Sequence, residues 1–595
     1  MPSVIGGTRR YRKGVAPLTN AAIAQALDEL GDLYELDGAE SYRVIAYRNA
    51  ARSVRDAAVS VAEMVEQGRA TELNGIGKTL DTKLRALVAD GDIPKSLELR
   101  SKFPSGLISV MHLPGFGPRR ARRLFDELGI DSLEALRAAA EAGQIRGLRG
   151  FGAKVEENLL QMLADGQDGT PQARVLLPRA LGLAEQIAGA LAQVPGAHRV
   201  EIAGSARRLT DSVKDVDVIA TADDPAVLAR ALAELPLIEA AGSPGENAIR
   251  ATTHTGMKVD LQVVEPDQFG NVLQHLTGSK AHNVQLREAA VRRGLHVSQY
   301  GILDDATGET IRCATEEEVY AALGYHWIPP ELREGRGELE AARLDGPGLP
   351  ELVTVEDLKG DLHCHTVASD GRNSVEQMAA AARERGLQYL AITDHSASHG
   401  FGNAVSPEAL LEQVEKVRAL NATFDDFELL IGTETNILPD GSVDYPDEVL
   451  AELDWVVASV HTSFQMGEAE MTARMVAAME HPLVDAIGHP TGRKIETRAP
   501  YAVSVDRLIE AAVRTGTMLE INSASDRRDL NDVYARAAAE AGVPILIDSD
   551  AHGVNTLGIV RWGVATARRA WLTAGQVANT RPWAEFAPLR KRARG

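Results

Sequence analysis

Three acidic side chains and a turn of small residues carry the first chemistry that this sequence of 595 residues offers. In AGSARRLTDSVKDVDVIA, Gly204-Ser205 stands about ten residues before Asp215-Val-Asp217. Side chains two apart on a strand face the same side, so Asp215 and Asp217 project together. Two carboxylates held that way repel each other unless a divalent cation lies between them. Asp260, in MKVDLQVV, is a third acid inside a β-forming run. Such a trio can hold two metal ions, one activating a hydroxyl and the other steadying a leaving pyrophosphate. Gly204 and Ser205 offer N–H groups and little bulk to a triphosphate, and Arg208 offers a compensating charge.

A second set is built from histidine. In DLHCHTVASDG, His363 and His365 share a strand face while Cys364 points away, as a core residue does. Asp370, His395, Glu434, His461, His489, Asp550 and His552 follow, most of them closing runs that read as strands. Six of the 15 histidines occupy these positions. Any one of them alone would more often be a buried, hydrogen-bonded core residue. Imidazole and carboxylate without cysteine suit Zn²⁺, Mn²⁺ or Fe²⁺. In a βα barrel, ligands converge at the C-terminal ends of the strands. Arg493-Lys494, just after His489, either steer a DNA backbone or decorate a solvated loop.

The elements that must position these groups change in texture along the chain. Apolar residues recur at three and four residues through Ala22–Leu36 and Leu80–Leu87, with glycine stops at Gly38 and Gly91, so the first 170 residues read as short helices. From about Arg199 the runs VEIAG, DVDVIA and KVDLQVV read as strands, and helical texture returns around 281–293. The stretch IPPELREGRGELEAARLDGPGLPE predicts an ordered arm running into a linker. Beyond it LQYLAITDH, FELLIGTE, WVVASVH and VPILID alternate with helical segments such as SVEQMAAAARERG. That alternation predicts a βα barrel or a related α/β layer fold. The basic cluster from Arg590 to Arg594 reads as a solvated tail.

One hexamer repeats: LNGIGK, LPGFGP and LRGFGA share Leu-x-Gly-Φ-Gly and each opens a helical pattern. Paired glycines turn the backbone tightly and present N–H groups at a helix N-terminus, where a phosphate can be held without base readout. Gly75, Gly77, Gly115, Gly117, Gly150 and Gly152 are therefore candidate DNA-backbone contacts, the third copy having few basic residues behind it.

Charge layout bears on that reading. The net charge of -21 argues against nucleic acid only until it is divided: residues 1–170 carry 23 basic and 23 acidic side chains, 171–340 carry 16 and 24, and 341–595 carry 24 and 37. The acidic excess sits where carboxylates can hold metals, and the basic run from Arg119 to Arg123 lies in the neutral part. Two cysteines, Cys313 and Cys364, exclude a disulfide framework and point to a reducing, cytoplasmic compartment. No secretory signal or membrane-spanning run is read, and no membrane partner is expected.

Taken together, Gly-Ser…Asp-x-Asp resembles the nucleotidyltransferase superfamily, and HLTGSKAHNVQLRE (His275–Glu288) narrows the resemblance to family X DNA polymerases of the bacterial and archaeal type. That resemblance implies nucleotide contacts from Gly278 and Asn283, a template contact from Arg287, and Mg²⁺ or Mn²⁺ on Asp215, Asp217 and Asp260. LGYHWIPPELREGRGELEAA is similar to the end of the polymerase core in bacterial members. Where eukaryotic relatives place a Tyr-Phe pair against the sugar, this chain has His275-Leu276, so looser sugar selection is expected. Aligning Gly75 and Gly77 with the lyase domain of repair polymerases brings Lys83 onto the Schiff-base lysine, although Thr79 stands where relatives often carry another lysine.

The histidine series resembles the polymerase-and-histidinol-phosphatase (PHP) family, which implies a nine-ligand set, His363, His365, Asp370, His395, Glu434, His461, His489, Asp550 and His552, holding up to three Zn²⁺, Mn²⁺ or Fe²⁺ ions for phosphoester hydrolysis.

The expected fold is multidomain: a helical lyase-like region with helix-hairpin-helix motifs (1–92), fingers (93–175), an α+β nucleotidyltransferase palm (176–272), a thumb (273–335), a linker (336–356) and a distorted βα barrel of PHP type (357–595). The expected function is short-gap filling in base-excision or end repair, with 3′-5′ exonuclease activity in the barrel, and with abasic-site endonuclease or 3′-phosphatase chemistry open to the same centre. Partners would be gapped or primer-template DNA and deoxynucleoside triphosphates, on a monomer. Two rivals are weighed: a PHP nuclease that uses the polymerase core only as a DNA-binding scaffold, and a repair scaffold without catalysis. Intact acids argue against the first and two complete ligand sets against the second.

Overall fold

Leucine and alanine at helical spacing fold the beginning of the chain into short packed helices. The computed structural model describes residues 18–593 apart from 58, 114–115, 149–150, 153–154, 157–158, 161–173, 243–247 and 400–402. The chain divides into two units, residues 1–173 with 224–261, and residues 174–223 with 262–595.

In the first unit, Asn20–Leu36 is the central helix, capped by the Thr19 hydroxyl on Ala22 N and burying Ile23, Leu27, Leu30 and Leu33 completely. Each such leucine contributes about 1.5–3 kcal/mol. Ser41–Asp56, Val61–Glu66, Lys78–Asp90, Gly117–Leu128 and Leu133–Glu141 share its apolar core. Gly91 ends Lys78–Asp90 with φ of 82°, a left-handed cap that glycine adopts without strain. The strands Ile238–Ala241 and Ala248–Thr253 pair antiparallel in the same unit.

The second unit begins with the helix Leu177–Ala192 and the antiparallel strands Ala197–Ile202 and Asp215–Ala222. Helices Phe269–Thr277, Lys280–Val291 and Glu316–Ala322 follow, with a three-stranded sheet between the last two. The proline- and glycine-rich arm is ordered by buried charge. Arg333, wholly buried, pairs with Glu316, and Glu338 accepts from His282 Nδ1 at 2.7 Å and from Gly335 N at 2.7 Å. Residues 336–356, read as a linker, pack as well: Leu339, Ala342 and Leu352 are buried in the same apolar cluster as Leu286 and Tyr320.

The last part is a seven-stranded all-parallel sheet in sequential order: 360–361, 389–392, 428–436, 455–459, 486–487, 518–522 and 545–548. Its strands are buried on both faces, as parallel strands covered by crossover helices must be. A parallel bridge between Cys364 and Ala551, beyond the first and last strands, draws the sheet toward closure into a near-barrel. Cys364 is a core residue, its thiol donating to Ala391 O at 3.3 Å. The basic C-terminus is docked and not a free tail: Lys591 N and Arg592 Nη2 donate to Asp485, and Arg590 to Asp454 O. Buried Asp485 needs those donors, a demand invisible in the local sequence. No helix among the described residues is long and apolar enough to cross a membrane.

Candidate functional site

All nine predicted ligands of the barrel lie at the C-terminal ends of its strands or on the loops just beyond. Their donor atoms form three overlapping groups: His365, Asp370, His395 and His552; His363, His365 and Asp550; His395, Glu434 and His461. His489 joins through Glu434, with Nε2 2.9 Å from Oε1. His365 and His395 each belong to two of these groups. The donor set fits divalent cations: His365 Nδ1, Asp370 Oδ1 and His489 Nδ1 are buried without a hydrogen-bond partner among the described residues. Buried polar atoms are rarely left so unless something else engages them.

The electrostatics agree. Burial would push Glu434 up, but His461, His363 and His395 outweigh it and hold the carboxylate well below its usual range. His365 is pushed down to about 4 by burial and by the neighbouring His395, and His489 down to about 3 by burial and Arg527. Burial also opposes the charged form of His552, yet Asp370 and Asp550 raise it to about 9. Neutral imidazoles and ionised carboxylates are the forms that bind a divalent cation, so His365, His489 and Glu434 already stand in them, whereas His552 and His363, held charged by their acidic neighbours, would give up a proton on binding it.

Sequence reading missed the groups that orient these ligands. Glu520, buried on the sixth strand, takes His363 Nδ1 at 2.7 Å and His489 N at 2.6 Å. Asn522 donates to Asp550 Oδ2 at 3.0 Å. A carboxylate on the far nitrogen of a ligating histidine fixes its tautomer and raises its basicity. The signal was present: in MLEIN the two stand two apart, the alternation that marked His363 and His365. His399, also unforeseen, stacks on His395 at 4.6 Å and donates from Nδ1 to Ser396 O. A cleft of about 490 Å³ opens on the centre, lined also by Phe464, Lys494, Arg498, Asp526 and Arg527. Arg498 lies over the Phe464 ring at 4.5 Å, and Lys494 pairs with Asp526 at 3.0 Å. Arg493 turns elsewhere, to Asp211 at 2.7 Å.

In the nucleotidyltransferase-like part, Asp215 and Asp217 stand half-exposed on one strand, and Ala203 N donates to Asp217 O at 2.8 Å. Gly204 has φ of 66°, and a Cβ there would lie 2.0 Å from Asp217 Oδ2. Only glycine lets the turn come that close to the carboxylate. Arg208 holds Glu334 at 3.0 Å and donates to Thr277 O at 2.5 Å, tying the Ser205 turn to Gly278, whose φ is 66°. Asn283 donates to His275 O and accepts from Gln274, and Arg287 Nη2 lies 3.1 Å from His275 Nδ1. Asp260, in the other unit, is about one-third exposed and pairs with Arg250 at 3.1 Å.

The described glycines of the first two hexamers stand at helix starts. Gly75 has φ of 79°, Gly77 precedes Lys78–Asp90, and Gly117, with φ of 56°, opens Gly117–Leu128. Gly152 O accepts from Val155 N and Glu156 N. Gly115 and Gly150 lie outside the described residues. Arg119 and Arg120 are exposed beside the second turn. Lys83 is half-buried with Nζ 6.0 Å above the Tyr47 ring; Arg43 lies over Tyr34, and Arg85 pairs with Asp81.

Comparison with known proteins follows the same divisions. Residues 18–93 match the helix-hairpin-helix domain, 107–165 the SAM-like helix-hairpin-helix tandem, 272–334 the DNA polymerase beta thumb and 361–524 the PHP domain. A Bacillus subtilis (strain 168) protein named DNA polymerase/3'-5' exonuclease PolX is 37% identical over 572 residues, 96% of this chain and 99% of that protein. A probable phosphatase of Thermoanaerobacter sp. (strain X514) is 30% identical over 231 residues, covering 37% of this chain and 89% of the relative. A probable phosphatase of Caldanaerobacter subterraneus is 34% identical over 210 residues, 32% of this chain and 75% of that protein.

Proposed function

The chain belongs to the PolX-type family X DNA polymerases with a C-terminal PHP domain, and from that premise we propose that it fills short gaps in damaged DNA and trims 3′ ends in its barrel. The observations that support the reading are the barrel's His, Asp and Glu side chains drawn into three overlapping groups and Gly204 fitted against the Asp217 carboxylate.

Each step falls to named groups. Asp215, Asp217 and Asp260 would hold Mg²⁺ or Mn²⁺, and the nine barrel ligands up to three Zn²⁺, Mn²⁺ or Fe²⁺ ions. Such ions, when bound, make an attacking oxygen more nucleophilic and offset charge on the leaving one. The Gly204 and Ser205 N–H groups and Arg208 receive the triphosphate, and Asn283 faces the incoming nucleotide. In the barrel, Arg498, Lys494 and Arg527 accept the phosphates flanking the scissile bond, and Phe464, beneath Arg498, lines the cleft beside them. Gly75, Gly77, Gly115, Gly117, Gly150 and Gly152 hold the DNA backbone, and Arg287 the template side. A labelled gapped duplex, incubated with and without nucleotides in Mg²⁺ and in Mn²⁺, tests both activities. Extension with nucleotides and shortening without them is the expected result; shortening alone would leave the core as a scaffold.

Lys83 is proposed as the lyase nucleophile, supported by its half-burial over Tyr47. Its neutral amine would add to the C1′ aldehyde of an abasic sugar and lose water to form a Schiff base. Borohydride trapping should label the wild type and not Lys83→Ala; equal labelling of both would remove the assignment.

A further inference from the structure

Five consecutive residues of the polymerase core, Arg208 to Ser212, are each held by a side chain of the barrel. Arg569 Nη1 donates to Arg208 O at 2.8 Å. Arg528 donates to Leu209 O and to Thr210 O, both at 3.1 Å. Asp211 pairs with Arg493 at 2.7 Å and with Arg528 at 3.4 Å, and Ser212 Oγ donates to Glu496 at 2.9 Å. Arg569 also shares Glu334 with Arg208, each within 3.0 Å.

Arg528 is the centre of this grip. Its side chain is wholly buried, and its Nε donates to Thr566 Oγ1 at 2.8 Å. Burial is severe enough to lower its pKa to about 10 despite Asp211. Removing a guanidinium from water to cap two backbone carbonyls is a costly way to join two domains, and apolar contacts would do so more simply. What the arrangement supplies is position. Leu209 sits at φ of 56°, a left-handed conformation that a leucine keeps only when its surroundings hold it there. That loop leaves the Gly204-Ser205 turn directly, and Arg208 is its first residue.

The same barrel segment reaches the metal centre. Asn522 bonds Asp550, and Asp529 accepts from Thr491 N and Oγ1, two residues beyond His489. One stretch, Glu520 to Asp529, thus braces the hydrolytic centre at one end and the polymerase loop at the other.

We propose that Arg528, with Arg493 and Arg569, is a positioning residue for nucleotide addition: the barrel fixes the Arg208–Ser212 loop and so the turn and guanidinium that receive the triphosphate. The inference rests on the nucleotide-site reading given above. The barrel then serves polymerisation whether or not it hydrolyses anything.

The test uses the full-length protein and follows nucleotide KM and kcat on a primer-template, 3′ trimming, and thermal unfolding. Arg528→Ala should raise nucleotide KM by about tenfold or more, equivalent to about 1.4 kcal/mol, with kcat changed far less, and Arg528→Lys should recover part of the loss. Asp211→Asn, a partly exposed position outside both ligand sets, should raise KM by a smaller factor and leave trimming unchanged. If Arg528→Ala does not fold, Asp211→Asn decides. A lowered melting temperature with wild-type KM in these variants would make the contacts structural only and overturn the inference. Asp217→Asn separates the two readings: extension surviving in that variant would defeat the nucleotide-site reading itself.

Discussion

The two candidate centres are built in opposite ways. The barrel centre gathers ligands from strand ends between residues 363 and 552, and His363 and His365 are wholly buried. In the nucleotidyltransferase-like part, two acids two residues apart stand half-exposed on one strand, and Asp260 is about one-third exposed. Burial demands that charge be balanced within the protein, so Glu434 is surrounded by five histidines and Glu520 braces two of the ligands. At the more open centre Asp260 is met by the exposed guanidinium of Arg250. A buried centre is therefore specified by many distant residues, and the Asp215 and Asp217 pair of the open one by a short local pattern.

The largest effects should come from removing first ligands, and they should separate the centres. Asp217→Asn or Asp260→Asn is expected to abolish nucleotide addition while 3′ trimming persists. His461→Ala or Asp550→Asn should do the reverse. Loss of both activities in a folded Asp260→Asn protein would break the comparison.

Gly204→Ala tests how finely the open site is fitted. A methyl group 2.0 Å from the Asp217 carboxylate must displace the turn or the acid, and a displacement of about 1 Å costs on the order of a hundredfold in rate. Extension kinetics with unchanged trimming would bear this out; normal extension would mean that the turn relaxes freely.

Glu520→Gln probes the buried centre at one remove. The amide can still occupy the space but loses the charge beside His363 Nδ1, and metal affinity and trimming should fall by about 10–100-fold. Metal content after dialysis reads this directly, alongside unaffected extension. A normally loaded variant would show that His363 needs no such brace.

The smallest effect is expected at the sugar. Arg287 Nη2 donates to His275 Nδ1 at 3.1 Å, at the position where the family resemblance implies an aromatic pair in eukaryotic relatives. Replacing His275 with Gly should shift the ribo- to deoxynucleotide incorporation ratio by about three- to tenfold, the scale of one hydrogen bond. Strict and equal discrimination by wild type and variant would place the gate elsewhere.

Much of this molecule was legible in local pattern. Asp215 with Asp217 and His363 with His365 are read from a period of two, and Gly75, Gly91 and Gly117 mark turns because their positive φ suits glycine. Helical spacing gave Asn20–Leu36 and Lys280–Val291 nearly to their ends. The seven parallel strands were foreseen as a class, although the strand that carries Glu520 was passed over.

Tertiary structure alone decided the rest. Arg493, read as a DNA contact or a solvated side chain, meets Asp211 across 282 residues of sequence. Arg590 to Arg592, read as a tail, supply donors to buried Asp485 and to the Asp454 carbonyl. Arg528, within a run of charged residues, caps carbonyls more than three hundred positions away. Hydrophobic periodicity reports which side of an element faces inward, because that depends on neighbours three, four or two residues away. It says nothing about which distant carboxylate or carbonyl a buried cation will meet. That partner is fixed only when the domains pack and desolvation forces every buried charge to find one.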